Sequence, residues 1–131
     1  MTLRNLFIFN TVINVLFGIP LLFIPKLLVD MYVVDAAQAT PATFVISRAY
    51  GSLILALGVA LWSARNAQAS LGRRAIVQMV VVANAIVAVV YSYAVLAGVY
   101  NNMGWSIVAI NLVLAVWGGS LLAKEMGLEL Q

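Results

Sequence analysis

The chain has 131 residues, 65% of them hydrophobic and only 8% charged, with a mean hydropathy of +1.09 and a formal net charge of +3. So few charges cannot clothe a water-soluble core of this size, which leaves a single domain with a lipid-facing surface. There is no Cys and no His, which removes disulfide relays, iron–sulfur clusters, thiolate metal sites, ordinary haem ligation and common zinc sites, so neither cofactor nor metal is expected.

Arg4 precedes the first apolar stretch, Asn5–Ile24. Its ~20 residues match a ~30 Å hydrocarbon core, and an apolar run in lipid must satisfy its own backbone, so it reads as a spanning helix. Pro20 is expected to kink it or unwind its last turn. The run is too long for a signal-peptide core. Lys26, Asp30 and Asp35 separate it from the leader-like Ala37-Gln38-Ala39, so it is expected to be retained. The next segment, 26–34 (KLLVDMYVV), is too short to span. With Leu27, Leu28 and Met31 on one face and Lys26 and Asp30 spaced i,i+4 on another, it suits a short interfacial helix or an irregular connector.

A small polar segment containing Pro41 leads to the second span, 42–62. Gly72 and three arginines mark the connector before the third, 75–99, and Asn101-Asn102-Met103-Gly104 the turn before the fourth, 104–123. The tail Glu125–Gln131 is expected to fray. Four spans with short connections predict an all-α up-and-down bundle with sequential helices as antiparallel neighbours. Arg4, Arg65, Arg73, Arg74 and Lys124 all fall on one side of such a bundle. The positive-inside rule makes that side, with both termini, cytoplasmic. Trp62 and Trp117 then fit one interface and Trp105 the other. These basic residues are explained by topology, so no nucleic-acid partner is expected. A multi-pass protein of a bacterial inner membrane with lipid partners is.

Arg48 is the charged residue well inside a span, and such a residue is expected to face the bundle interior. Using 1.5 Å per residue, Arg48, Tyr91 and Asn111 fall ~9–12 Å below the outer surface, and Asn14 and Asn84 ~13 Å from the inner one. Arg48, Tyr91 and Asn111, with Tyr50 beside them, are therefore the candidate ligand-binding set. A Tyr ring near Arg48 would suit a cation–π contact. Asn10, Asn14 and Asn84 are the candidate interhelical hydrogen-bonding set, since amides turned into lipid are costly. Ser47, Gly51, Gly58, Gly118 and Gly119 mark close helix approach.

A first helix with Gly18 ending at Pro25, followed by Arg48-Ala-Tyr-Gly51 and Gly58, resembles the DoxX-like group of small bacterial four-helix membrane proteins. That resemblance implies quinone or a membrane redox partner, although a chain without Cys and His can itself only bind or scaffold. Three functions remain open. The first is binding of a lipid-like or quinone-like molecule in the outer half of the bundle, or scaffolding of a membrane assembly. The second is an oligomeric transporter or channel. The third is a non-redox enzyme, of isomerase or cyclase type, on a membrane-soluble substrate, with a Tyr as acid and Arg48 as stabiliser. No catalytic set is assigned. The first helix has no carboxylate for proton-coupled transport.

Overall fold

A computed structural model describes residues 2–129, with side chains over residues 2–124. Five α-helices follow in order: α1 (Leu3–Phe23), α2 (Pro25–Tyr32), α3 (Pro41–Ala64), α4 (Leu71–Leu96) and α5 (Gly104–Glu129), with a short 3₁₀ turn at Ala36–Gln38. Four are long and apolar enough to cross a membrane, with mean hydropathies from 1.8 to 2.2. Large apolar side chains cover their outer faces, among them Ile46, Leu53, Val89 and Val116, each more than two-thirds exposed. Water would not tolerate so much contiguous apolar surface, whereas acyl chains match it. The chain is a multi-pass membrane protein.

Caps explain where the helices begin and end. The Thr2 hydroxyl accepts from Asn5 N, so α1 starts two residues before the sequence expectation. Thr40 and Thr43 form a reciprocal capping box with Pro41 in the first turn of α3. The Ser70 hydroxyl accepts from Arg73 N and starts α4 at Leu71 rather than 75. The other end of α4 falls at Leu96 rather than 99, because Gly98 adopts φ 72°. Val99 N donates to Ala94 O and Gly98 N to Val95 O, the paired closing bonds of a Schellman motif.

Pro20 does not unwind α1. The helix runs through it to Phe23, and Ile24 N closes on Pro20 O at 2.8 Å. Pro25 then starts α2, where a missing N–H costs nothing. The segment 26–34 is thus largely helical, not an irregular connector. The expected frayed tail is helical to Glu129, while Leu130 and Gln131 lie outside the described residues.

The bundle is two antiparallel hairpins, α1 with α3 and α4 with α5, joined mainly where α1 meets α5. Glycines set the first pairing. A Cβ on Gly51 would lie 2.8 Å from Leu21 Cβ and from Leu22 N, and one on Gly18 2.7 Å from Leu55. Gly118 brings α5 equally close to Val81 of α4. Contrary to the sequence expectation, α3 and α4 approach only loosely despite their short connector. The side chains they turn toward each other are large, Tyr50 and Ile54 on α3 and Tyr91 on α4.

The hairpins are sealed together at the end that carries Arg4, Arg65, Arg73 and Lys124, called here the basic end. Leu6, Phe7, Leu61, Val77, Val80 and Leu114, contributed by all four spans, form a core with at most 1% exposure. At the opposite end α2 lies across the bundle and is fastened to the α4–α5 turn. Val34 N donates to Val99 O, Asn101 N to Tyr32 O, and Asn101 Nδ2 to Met31 O at 2.8 Å.

Candidate functional site

Above the sealed core, the space between the hairpins is not filled. A partly enclosed cavity of about 60 Å³ is bordered by Asn14 and Phe17 of α1, Tyr50 and Ile54 of α3, Asn84 and Tyr91 of α4, and Ile107 and Asn111 of α5. Every span contributes one polar side chain or more. A second space of similar volume continues toward α2 and shares Phe17, Leu21, Tyr91 and Ile107 with the first. Val29 and Tyr32 of α2 border its far end. The rings of Tyr91 and Tyr100 lie 5.2 Å apart and those of Tyr32 and Tyr100 6.5 Å apart, so three aromatic rings run from the cavity to the α2 end.

Helical rise places these groups in one band. Measured from the α2 end of each helix at 1.5 Å per residue, Tyr91 lies ~8 Å deep, Asn111 ~10 Å, Tyr50 and Asn14 ~13 Å, and Asn84 ~18 Å. The two tiers expected from the sequence are therefore one continuous cavity. Tyr50, Tyr91 and Asn111 come together in it as expected, and Asn14 and Asn84 join them.

Arg48 does not. It is exposed, its guanidinium makes no hydrogen bond or ion pair among the described residues, and it is not part of the cavity wall. The reason is angular. Residues two apart on a helix point ~160° apart, so the turn of α3 that aims Tyr50 at the cavity aims Arg48 away from it. Arg48 sits ~10 Å from the start of α3, shallow enough for a long side chain to reach the interface. The expected cation–π contact with a Tyr also fails. A cation–π contact joins Arg65 to Trp62 instead, with Cζ 3.9 Å from the ring centroid.

Hydrogen bonding by the amides departs from expectation as well. Asn84 Nδ2 donates to Val80 O at 2.7 Å and Asn111 Nδ2 to Ile107 O at 2.8 Å, each on its own helix. An amide near its own i−4 carbonyl finds that acceptor without crossing to another helix. A hydrogen bond that does cross between spans runs from the Thr11 hydroxyl to Gly58 O, 3.2 Å. Neither Asn10 nor Asn14 ties helices together. Their side-chain nitrogens are buried without a protein partner, at 2% and 8% residue exposure. A buried unpaired donor costs ~1–3 kcal/mol. For Asn14 the remedy is adjacent, since it borders the cavity. For Asn10, which sits nearer the sealed core, the structure gives no physical account.

Among the described residues no carboxylate borders the cavity. Asp30 is held by Lys26 at 2.6 and 2.8 Å, and Asp35 accepts from Gln38 at 2.6 Å. The site is therefore neutral, with amide donors and phenols in an apolar frame of Ile, Leu and Phe. It can hydrogen-bond a neutral polar group, and it offers no base for proton abstraction and no fixed charge for an ion. Of the expected belt residues, Trp62 and Trp105 are exposed, while Trp117 packs against the sealed core with its indole N–H buried.

The signal for the merged cavity lay in Asn14, which the sequence placed with the structural amides. Gly18 and Gly51, with Gly58 against Asn14, set the α1–α3 contact. No protein-family model, no curated protein and no solved structure matches the chain.

Proposed function

We propose that this protein binds a neutral lipid-like molecule between its two hairpins, with the polar head among Asn14, Tyr50, Tyr91 and Asn111 and the chain leaving toward the membrane. One observation carries the reading: the Asn14 amide nitrogen is buried and unpaired, and Asn14 borders a cavity to which every span adds a polar side chain. A donor so placed calls for an acceptor, such as the carbonyl of a quinone-like or ester-bearing head. The charge-free wall disfavours an anionic head, and Arg48 takes no part. The DoxX-like resemblance points to the same ligand class through its implied link to quinone, and it remains an expectation of the sequence.

At about 60 Å³ the cavity holds about two waters, each taking ~30 Å³ of liquid volume. That is below the ~300–1,000 Å³ of small-molecule sites. Binding therefore requires the hairpins to part, and the loose α3–α4 seam is where they do so with the fewest contacts to break. That seam faces the bilayer, which gives a lipid-soluble ligand lateral access. Among the described wall residues a transporter reading has no carboxylate, Lys or Arg to couple to, and an enzyme reading has no carboxylate base.

The test is a photoreactive isoprenoid quinone analogue added to the purified protein in lipid nanodiscs. Crosslinks should map to α1, α4 and α5 around Asn14, Asn84 and Asn111, fall several-fold in Asn14→Leu and Asn111→Leu, and persist in Arg48→Gln. Labelling confined to the outer apolar faces, and unchanged in both Asn variants, would leave the cavity as a water site only.

A further inference from the structure

The basic end holds a second, larger space. A cavity of about 430 Å³ opens between the start of α1, the end of α3 and the start of α4, with Thr2, Arg4, Arg65, Asn66 and Arg73 on its wall. Three guanidinium groups from three segments border this one space, and among the described residues of its wall none is acidic. The positive-inside rule asks only that basic residues lie on one side of a membrane. It does not ask that they surround a cavity, and Arg74 and Lys124 at the same end do not.

Two of the three are fixed in place. Arg65 lies over the Trp62 ring at 3.9 Å and its Nη1 donates to the Trp62 carbonyl. Arg73 Nη1 donates to Ala67 O at 3.0 Å, which holds the α3–α4 connector. A guanidinium carries five N–H donors in a planar fork, so one backbone bond leaves Arg65 oriented with donors to spare. The first turn of α1, capped by Thr2, adds unpaired backbone N–H groups to the same wall. The volume lies within the ~300–1,000 Å³ of small-molecule sites. Its depth is that of lipid headgroups, because the exposed Trp62 that holds Arg65 closes α3 at the edge of the apolar span.

We propose that this cavity is an anion site for a phosphate ester, occupied by the headgroup of an acidic phospholipid whose chains lie along the exposed faces of α1 and α3. It is separate from the cavity between the hairpins and does not depend on what that cavity binds.

The full chain, purified in detergent, is titrated with dioctanoyl phosphatidylglycerol, dioctanoyl phosphatidylcholine and inorganic phosphate. Native mass spectrometry and Tm are the readouts. Phosphatidylglycerol should form a one-to-one adduct and raise Tm, and phosphatidylcholine should do neither. Arg4→Gln and Arg65→Gln should each weaken binding roughly fivefold, the scale for one basic residue beside an acidic lipid. Lys124→Gln should leave it unchanged. Arg4 is exposed and makes no structural bond among the described residues, so its variant reads binding without a folding defect. An equal shift with inorganic phosphate keeps the anion site and moves its source to soluble phosphate. No response to either anion, or an equal loss in Lys124→Gln, overturns the proposal.

Discussion

The helix α3 meets its two neighbours in opposite ways. Toward α1 it presents Gly51 and Gly58, and the backbones come so close that Gly51 has no room for a Cβ. Toward α4 it presents Tyr50 and Ile54, and the helices stay apart around a polar cavity. Both neighbours are consecutive spans, α1 joined to α3 through α2 and α4 by a short connector. Chain connectivity therefore decides which helices lie side by side, and residue size decides whether they touch. In lipid there is little hydrophobic drive to close a gap between helices, so a seam of large side chains with nothing small opposite can stay open. The seam closes only toward the basic end, where Leu61 meets Leu6, Val77, Val80 and Leu114.

The sharpest way to break the contrast is on the tight face. Gly51→Val puts two further carbons where even a Cβ would lie 2.8 Å from the Leu22 backbone. It should cost ~3 kcal/mol or more, at the top of the range for overpacking. Reversible unfolding in mixed detergent micelles would read it. Gly72→Ala is the matched control. It meets nothing within 4 Å and lies in the first turn of α4, so helix propensity should make it neutral or stabilising by up to ~1 kcal/mol. Equal losses in the two variants would mean that α1 and α3 are not held by close approach.

The second way is to extend the open seam through its sealed end. Leu61→Ala removes a side chain with 0% exposure from a core shared by all four spans. The loss should be about 2 kcal/mol, drawn mainly from missing packing because lipid is as apolar as the core. Ile54→Ala, on the wall of the existing cavity, should cost clearly less in the same assay. A larger loss at Ile54 would mean that the cavity is occupied and packed in the membrane-embedded protein.

The third prediction reverses sign. Asn14→Leu replaces a buried unpaired donor with an apolar side chain, so the ligand-free protein should gain about 1 kcal/mol while binding between the hairpins falls. A loss of stability instead would show that Asn14 is already satisfied, by water or a retained lipid.

Much of this was legible in the sequence. Span number and approximate limits follow from apolar length, and close approach of α3 to another helix from Gly51 and Gly58. The shifts at Ser70 and Gly98 were local chemistry that hydropathy hides, a cap in one case and a left-handed glycine in the other. The looseness of α3 against α4 was not legible, because it depends on the rotation of two helices about their axes. Nor was the hydrogen bonding of the amides, since an own-helix carbonyl and a neighbouring helix are both within reach of an Asn side chain.

Arg48 is different, because the sequence already contained the correction. Arg48 and Tyr50 are two residues apart on one helix, so ~160° of rotation separates them and a single inward face cannot hold both. Once Gly51 and Gly58 are taken as the α1 contact, Arg48 falls ~60° to one side of Gly51 and Tyr50 ~100° to the other. Tyr91 and Asn84 then choose between them, because an aromatic and an amide on the facing helix suit a phenol. The last prediction follows. Arg48→Gln should change stability by less than ~0.5 kcal/mol, the scale of an exposed substitution away from packing and networks, and leave ligand crosslinking intact. A large loss in either measurement would mean that the guanidinium finds a partner the isolated chain does not supply, and the exposed face of α3 would then be the place to look for it.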